Sequence, residues 1–120
     1  MKNAVHIEGF EFGSICIDGR SYDHDVVLRK GSVSRRKKKH SKAFRAKFGH
    51  TPLSLREDIP WDCERLVVGT GAEGALPVMD EVRRDARRRG VRLVILKTPD
   101  AISEVNRGVP GTNAILHVTC

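Results

Sequence analysis

The stretch Arg65-Leu66-Val67-Val68-Gly69-Thr70-Gly71-Ala72-Glu73-Gly74 decides how this chain is read. An apolar run enters three glycines spaced G-x-G-x-x-G, and a basic amphipathic segment follows. Leu66 to Val68 is apolar without alternation, which predicts a strand covered on both faces. Glycine lets the main chain turn sharply and approach a ligand, so the loop is either an anion cradle or a tight strand-to-helix turn.

Working forward, Pro77 suits the first position of a helix. Val78, Val82 and Ala86 recur every four residues, with Met79 beside them, and form its apolar stripe. Asp80 with Arg84 and Asp85 with Arg89 are acid-before-base pairs at i,i+4. The Arg87-Arg88-Arg89 end complements the helix dipole, and Gly90 stops the helix. Val91 to Leu96 is a second buried strand. Strand, helix and strand with short joints make a βαβ unit, so the two strands are expected to be parallel. Thr98-Pro99 opens another helix running to about Arg107, with Ala101, Ile102 and Val105 as its stripe. Ala114 to Val118 is a last strand.

Working backward, Trp61, the only tryptophan, is a core or groove anchor. Pro60 closes a short helix that Ser54-Leu55-Arg56-Glu57 begins as a capping box. The N-terminal third reads as a small antiparallel β unit. Its marker is Asp18-Gly19 between Ser14-Ile15-Cys16-Ile17 and Arg20-Ser21-Tyr22, a hairpin signal. Val26-Val27-Leu28 adds a strand. Asp23, His24 and Asp25 read as a solvated turn, because consecutive turn residues point in different directions.

At 120 residues the chain is one expected domain, residues 1–120, with an ordinary apolar share of 39%. No apolar run approaches the ~20 residues that span a bilayer, and the first residues carry no signal-peptide core. A cytoplasmic protein with no membrane contact is the expectation. Cys16, Cys63 and Cys120 are odd in number and contain no C-x-x-C pair, which argues against a disulfide framework and against a zinc knuckle.

The net charge of +7 is local. Arg29 to Lys47 holds ten Lys/Arg and no Asp/Glu, while the remainder holds twelve against fifteen. Like charges at this density repel, so residues 29–50 are expected to be an exposed, mobile basic loop. Arg35, Arg36, Lys37, Lys38, Lys39, Lys42, Arg45 and Lys47 form its candidate nucleic-acid set, with RNA or DNA as partner. Phe44 and Phe48, four apart on one or two helical turns, can stack on bases.

The dinucleotide fingerprint needs a helix that starts within the glycines and an acid on the ribose about 20 residues on. Pro77 delays the helix, and Lys97-Thr98 stands where the acid belongs. No Gly-Lys-Ser/Thr of a Walker motif follows. NAD and FAD are therefore set aside, and no cofactor and no metal are expected. What survives is a small-anion site on Gly69, Thr70, Gly71, Ala72, Gly74 and Thr98, at the carboxyl edge of the two parallel strands. No catalytic set emerges. The five histidines are scattered, and His117, mid-strand, reads as a satisfied core histidine.

Phe12-Gly13-Ser14-Ile15 with Ile17-Asp18-Gly19 and Tyr22, Val68-Gly69-Thr70-Gly71 with Gly74 and Leu76, Thr98 with Ala101, and Leu116-His117-Val118-Thr119-Cys120 stand in a specific order. Together they resemble a small family of uncharacterised α/β proteins, over roughly residues 10–120. Its eukaryotic relatives include a mitochondrial complex I assembly factor and an adipogenesis-associated cytosolic protein. The basic stretch from Val33 to Phe48 is not family-wide and looks like a feature of a prokaryotic branch. The resemblance implies a three-layer α/β fold. It has a central mixed five-stranded sheet with the last strand antiparallel, helices on the faces and a small β unit alongside. It also implies an accessory, non-catalytic role, binding other proteins during complex assembly.

Overall fold

The computed structural model describes residues 5–120. β1 (Ile7–Glu11), β2 (Ser14–Ile17) and β3 (Arg20–Tyr22) form a separate antiparallel sheet in that order. The expected turn at Asp18-Gly19 is there, with φ of 48° and 81°. Positive φ at both residues matches the twist of the flanking strands. A second hairpin joins β4 (Val26–Arg29) to β5 (Ser32–Arg35) through Lys30-Gly31, again with positive φ at both positions. A 3₁₀ stretch, Lys38–Phe44, then leads into the one-turn helix α1 (Arg45–Phe48).

The βαβ unit is β6 (Arg65–Gly69), α2 (Asp80–Arg89) and β7 (Arg92–Leu96), with β6 and β7 parallel as expected. α3 (Thr98–Asn106) and β8 (Thr112–Leu116) complete the described elements. The main sheet is mixed, five-stranded and ordered β5-β4-β8-β6-β7. One expectation is corrected here. The last strand, β8, runs parallel to β6, and the strand that runs against both its neighbours is β4, second from one edge. The helical crossover through α3 returns the chain in the direction it left β7, which makes β8 parallel.

The main sheet is covered on both faces. On one side Val67, Ala114, Leu116, Val26 and Leu28 pack with Ala101 and Val105 of α3 and with Ile7, Ile15 and Ile17 of the small sheet. On the other, Leu66, Val68 and Ile115 pack with Val82 of α2 and with Leu53 and Ile59. Leu66, Val67 and Val68 thus alternate between two buried faces, which is why the run carries no polar residue. No helix among the described residues is long and apolar enough to cross a membrane.

Three local expectations are corrected. α2 begins at Asp80, not Pro77, because residues 77–79 are extended and stitched to Leu53. Leu53 N donates to Pro77 O at 2.9 Å, and Met79 N donates to Leu53 O at 3.0 Å. Ser54 to Glu57 makes a turn rather than a helix. The Glu57 carboxylate leaves its capping position for tertiary partners. Residues 29–50 are not one exposed loop, since β5 lies within them and both Arg36 and Ser41 are buried.

Candidate functional site

β5 carries the chain to Arg36, whose N–H donates to Asp25 O at 3.0 Å and extends the β4–β5 ladder by one rung. That rung turns the Arg36 side chain inward, leaving it 1% exposed. Its Nη1 donates to Asp25 Oδ2 at 2.9 Å. Nε and Nη2 form a bidentate pair with Glu57, at 2.7 Å to Oε1 and 2.9 Å to Oε2. Nη2 also donates to Pro52 O at 3.1 Å. The planar guanidinium is suited to two carboxylates at once in a way that a lysine ammonium is not.

The cluster extends in two directions. Ser41 Oγ donates to Glu57 Oε2 at 2.6 Å and lies 2.6 Å from Ser54 Oγ, which ties the 3₁₀ stretch to the same anchor. On the other side, Asp25 accepts from Val118 N at 2.9 Å, and His117 Nδ1 lies 2.8 Å from its Oδ2. Burial raises the Asp25 pKa. The hydrogen bond and charge of His117, the Val118 amide and Arg36 outweigh it and hold the carboxyl at about 2. For Arg36, burial works against the charged form, and the hydrogen bond and charge of Glu57, with Asp25, more than offset it and raise its pKa. Every buried polar side-chain atom among the described residues has a partner.

Beside the cluster opens a cleft of about 560 Å³. Arg35, Lys37, Lys38, Lys39, His40 and Lys42 line it, with Asp23, His24, Asp25 and Thr119. Of the residues proposed for nucleic-acid contact, Arg36 is thus structural. Arg35, Lys37, Lys38, Lys39 and Lys42 share the cleft. Arg45 and Lys47 are exposed on α1. The Arg56 guanidinium covers Phe44 at 4.9 Å from the ring centroid, so one stacking face is occupied.

The glycine loop residues do come together, but their amides have internal partners. Gly71 N donates to Thr98 Oγ1 at 2.8 Å, and Thr98 Oγ1 donates onward to His117 O at 2.7 Å. Ala72 N donates to Thr119 O, and Ala75 N to a Cys120 main-chain oxygen, both at 2.8 Å. Thr70 N donates to Leu96 O at 2.8 Å, and Gly74 N to Gly71 O at 3.3 Å. A Cβ on Gly71 would stand 2.4 Å from the Cys120 carbonyl carbon. The backbone approach that glycine permits here is to the chain's own segment 117–120. Gly69 packs against Leu116 and Thr98 for the same lack of a side chain.

Asp25, Glu57, His117 and Thr119 were not among the residues the sequence singled out as a site. Asp25 belongs to the Asp23-His24-Asp25 triplet expected as a solvated turn, but it is buried, and its partners Arg36 and His117 lie far along the chain.

Residues 7–109 match the family described as "Protein of unknown function (DUF498/DUF598)". The chain belongs to this family. Among solved structures similar to this family member, a conserved hypothetical protein from Pyrococcus horikoshii shares 30% identity. The match has a TM-score of 0.76 and covers 95% of this chain and 98% of that one. A protein called MT938 shares 26% identity at a TM-score of 0.69, over 98% of this chain and all of the other (100%). A Mth938-like domain from Bordetella pertussis, at 18% identity and a TM-score of 0.64 over 95% of this chain and 85% of its own, shares the fold. Among curated proteins, none matches.

Proposed function

We propose that this member of the family is a nucleic-acid-binding module that contacts phosphates through the basic cleft of residues 35–42. The observation carrying this reading is the burial of Arg36. A run of like charges without an anchor would stay loose. Here one arginine is held by two carboxylates, and its neighbours are thereby presented as a set on one cleft. Clustered Lys/Arg without interleaved acids suits the phosphate backbone and releases counterions on binding.

Fluorescence anisotropy of a labelled single-stranded RNA of about 20 nucleotides across a salt series tests this. Affinity is expected to fall linearly in log–log terms. The triple variant Lys37→Gln, Lys38→Gln, Lys39→Gln is expected to lower the slope by about 2, at ~0.7 per phosphate on a single strand. Salt-independent binding, or a triple variant that binds like the parent, would reject the reading.

An assembly-accessory role in contact with other proteins is the second reading. It is favoured by β7, which has one strand neighbour and whose Leu93 to Leu96 are only half-buried. An open edge of this kind is available for pairing with another chain. Light scattering, with pull-down from the source cell, tests it, and recovery of no protein partner under varied conditions counts against it.

A further inference from the structure

We infer that Asp25, His117 and Thr119 form a hydroxyl-activating relay on the wall of the basic cleft, competent to hydrolyse small carboxylic esters that carry a negative charge. His117 Nδ1 lies 2.8 and 3.0 Å from the two Asp25 oxygens. Its Nε2 lies 3.1 Å from Thr119 Oγ1. Carboxylate, imidazole and hydroxyl therefore follow one another at hydrogen-bond distance, the arrangement that activates an alcohol nucleophile on unrelated folds.

The carboxylate determines which way the relay runs. His117, the Val118 amide and Arg36 hold Asp25 ionised, so it can only accept. His117 Nδ1 must then carry the hydrogen. In the neutral imidazole Nε2 is left with its lone pair, and the Thr119 hydroxyl donates to it. Asp25 and Arg36 are positioning residues, and His117 and Thr119 are the catalytic pair.

The remaining parts are also placed. Thr119 is half-buried and lines the cleft together with the lysines, whose positive charge draws an anion toward it. The glycine loop fixes the backbone through the Ala72 amide on Thr119 O, and Thr98 fixes it through His117 O. Sequence-distant groups are thus locked into one geometry, as catalysis requires.

In the proposed step, His117 Nε2 takes the Thr119 hydroxyl proton while Oγ1 attacks the ester carbonyl carbon. The bond to the alcohol oxygen breaks, and that alcohol leaves with the proton from His117. Water, deprotonated by His117, then attacks the acyl–Thr119 ester. Acid is released, and the proton returns to Thr119 Oγ1. Positive charge from the cleft lysines stabilises the developing oxyanion. The step does not depend on nucleic-acid binding.

The test uses the purified protein without nucleic acid and the anionic ester 4-acetoxybenzoate, with neutral phenyl acetate as comparison. Hydrolysis above the buffer rate is expected, faster for the anionic ester. Thr119→Ala is expected to lose about a hundredfold or more, His117→Gln a similar amount, and Thr119→Ser to retain activity. An acetyl adduct is expected on Thr119 by mass spectrometry. Because Thr119 is half-buried and its clamp is made by the main chain, Thr119→Ala decides the matter even if His117→Gln fails to fold. No rate above buffer, an unchanged rate in Thr119→Ala, or acetylation of Cys120 in place of Thr119 would overturn the assignment.

Discussion

Asp25 and His117 stand 92 positions apart in the chain and meet at 2.8 Å in its interior. The contact joins the residue before β4 to the residue that follows β8, at the end where those two strands pair antiparallel. It also links both elements to Arg36, and through Arg36 to Glu57. The pairing of β4 with β8, the anchoring of the basic segment and the wall of the cleft therefore depend on one buried cluster.

Replacing Arg36 by Met is expected to destabilise the fold by about 3–5 kcal/mol, since it leaves the Asp25 and Glu57 carboxylates buried without their cation. Lys38→Met, on an exposed neighbour, should change stability by no more than about 0.5 kcal/mol. Urea unfolding of the two variants measures the contrast.

Acid should weaken the protein in a specific window. Asp25 titrates at about 2 in the folded chain against 3.8 as its ordinary value. Its folded-state pKa is depressed, so its contribution is fully present above the unfolded value and is lost as pH falls toward the folded one. The contribution is about 2 kcal/mol, since one pKa unit corresponds to ~1.4 kcal/mol. Urea midpoints measured from about pH 5 down to about pH 2 should fall in the wild type, and Asp25→Asn should lack this part of the slope.

Gly71→Ala should destabilise by more than about 1 kcal/mol. Its φ is +104°, and the added Cβ would stand 2.4 Å from the Cys120 backbone. Hydrogen exchange should rise at Ala72 and Ala75, whose amides bond residues 119 and 120. Gly9→Ala, where a Cβ meets nothing within 4 Å, is the control.

Thr98→Val keeps the shape of a fully buried side chain and removes the hydroxyl between Gly71 N and His117 O. An unpartnered buried donor and acceptor cost about 1–3 kcal/mol. Thermal unfolding should report that loss.

Much of the scaffold was legible in the residues. The Leu66–Val68 run, the four-residue stripe of Val82 and Ala86, Gly90 and the Asp18-Gly19 turn each express a local rule. Each falls within a window short enough for periodicity or φ preference to decide. The departures from local expectation at Pro77 and Ser54–Glu57 have a common cause. A favourable local signal lost to a partner elsewhere, Leu53 for the first and Arg36 for the second.

The sequence by itself determined that β6, α2 and β7 form a βαβ unit, that a tight hairpin precedes it and that a dense positive charge lies between them. Backbone sterics and side-chain period act between near neighbours, so they can be read along the chain. Only the tertiary structure decided which of the basic residues turns inward and what the glycine loop binds. Nothing local distinguishes Arg36 from Arg35. The choice is made by carboxylates 11 and 21 positions away. The G-x-G-x-x-G loop has the backbone freedom to cradle an anion, but Leu96, Thr98, Thr119 and the loop's own Gly71 carbonyl take its amides. A buried donor must be matched by whatever acceptor the fold brings near, and the order of residues alone does not carry that proximity.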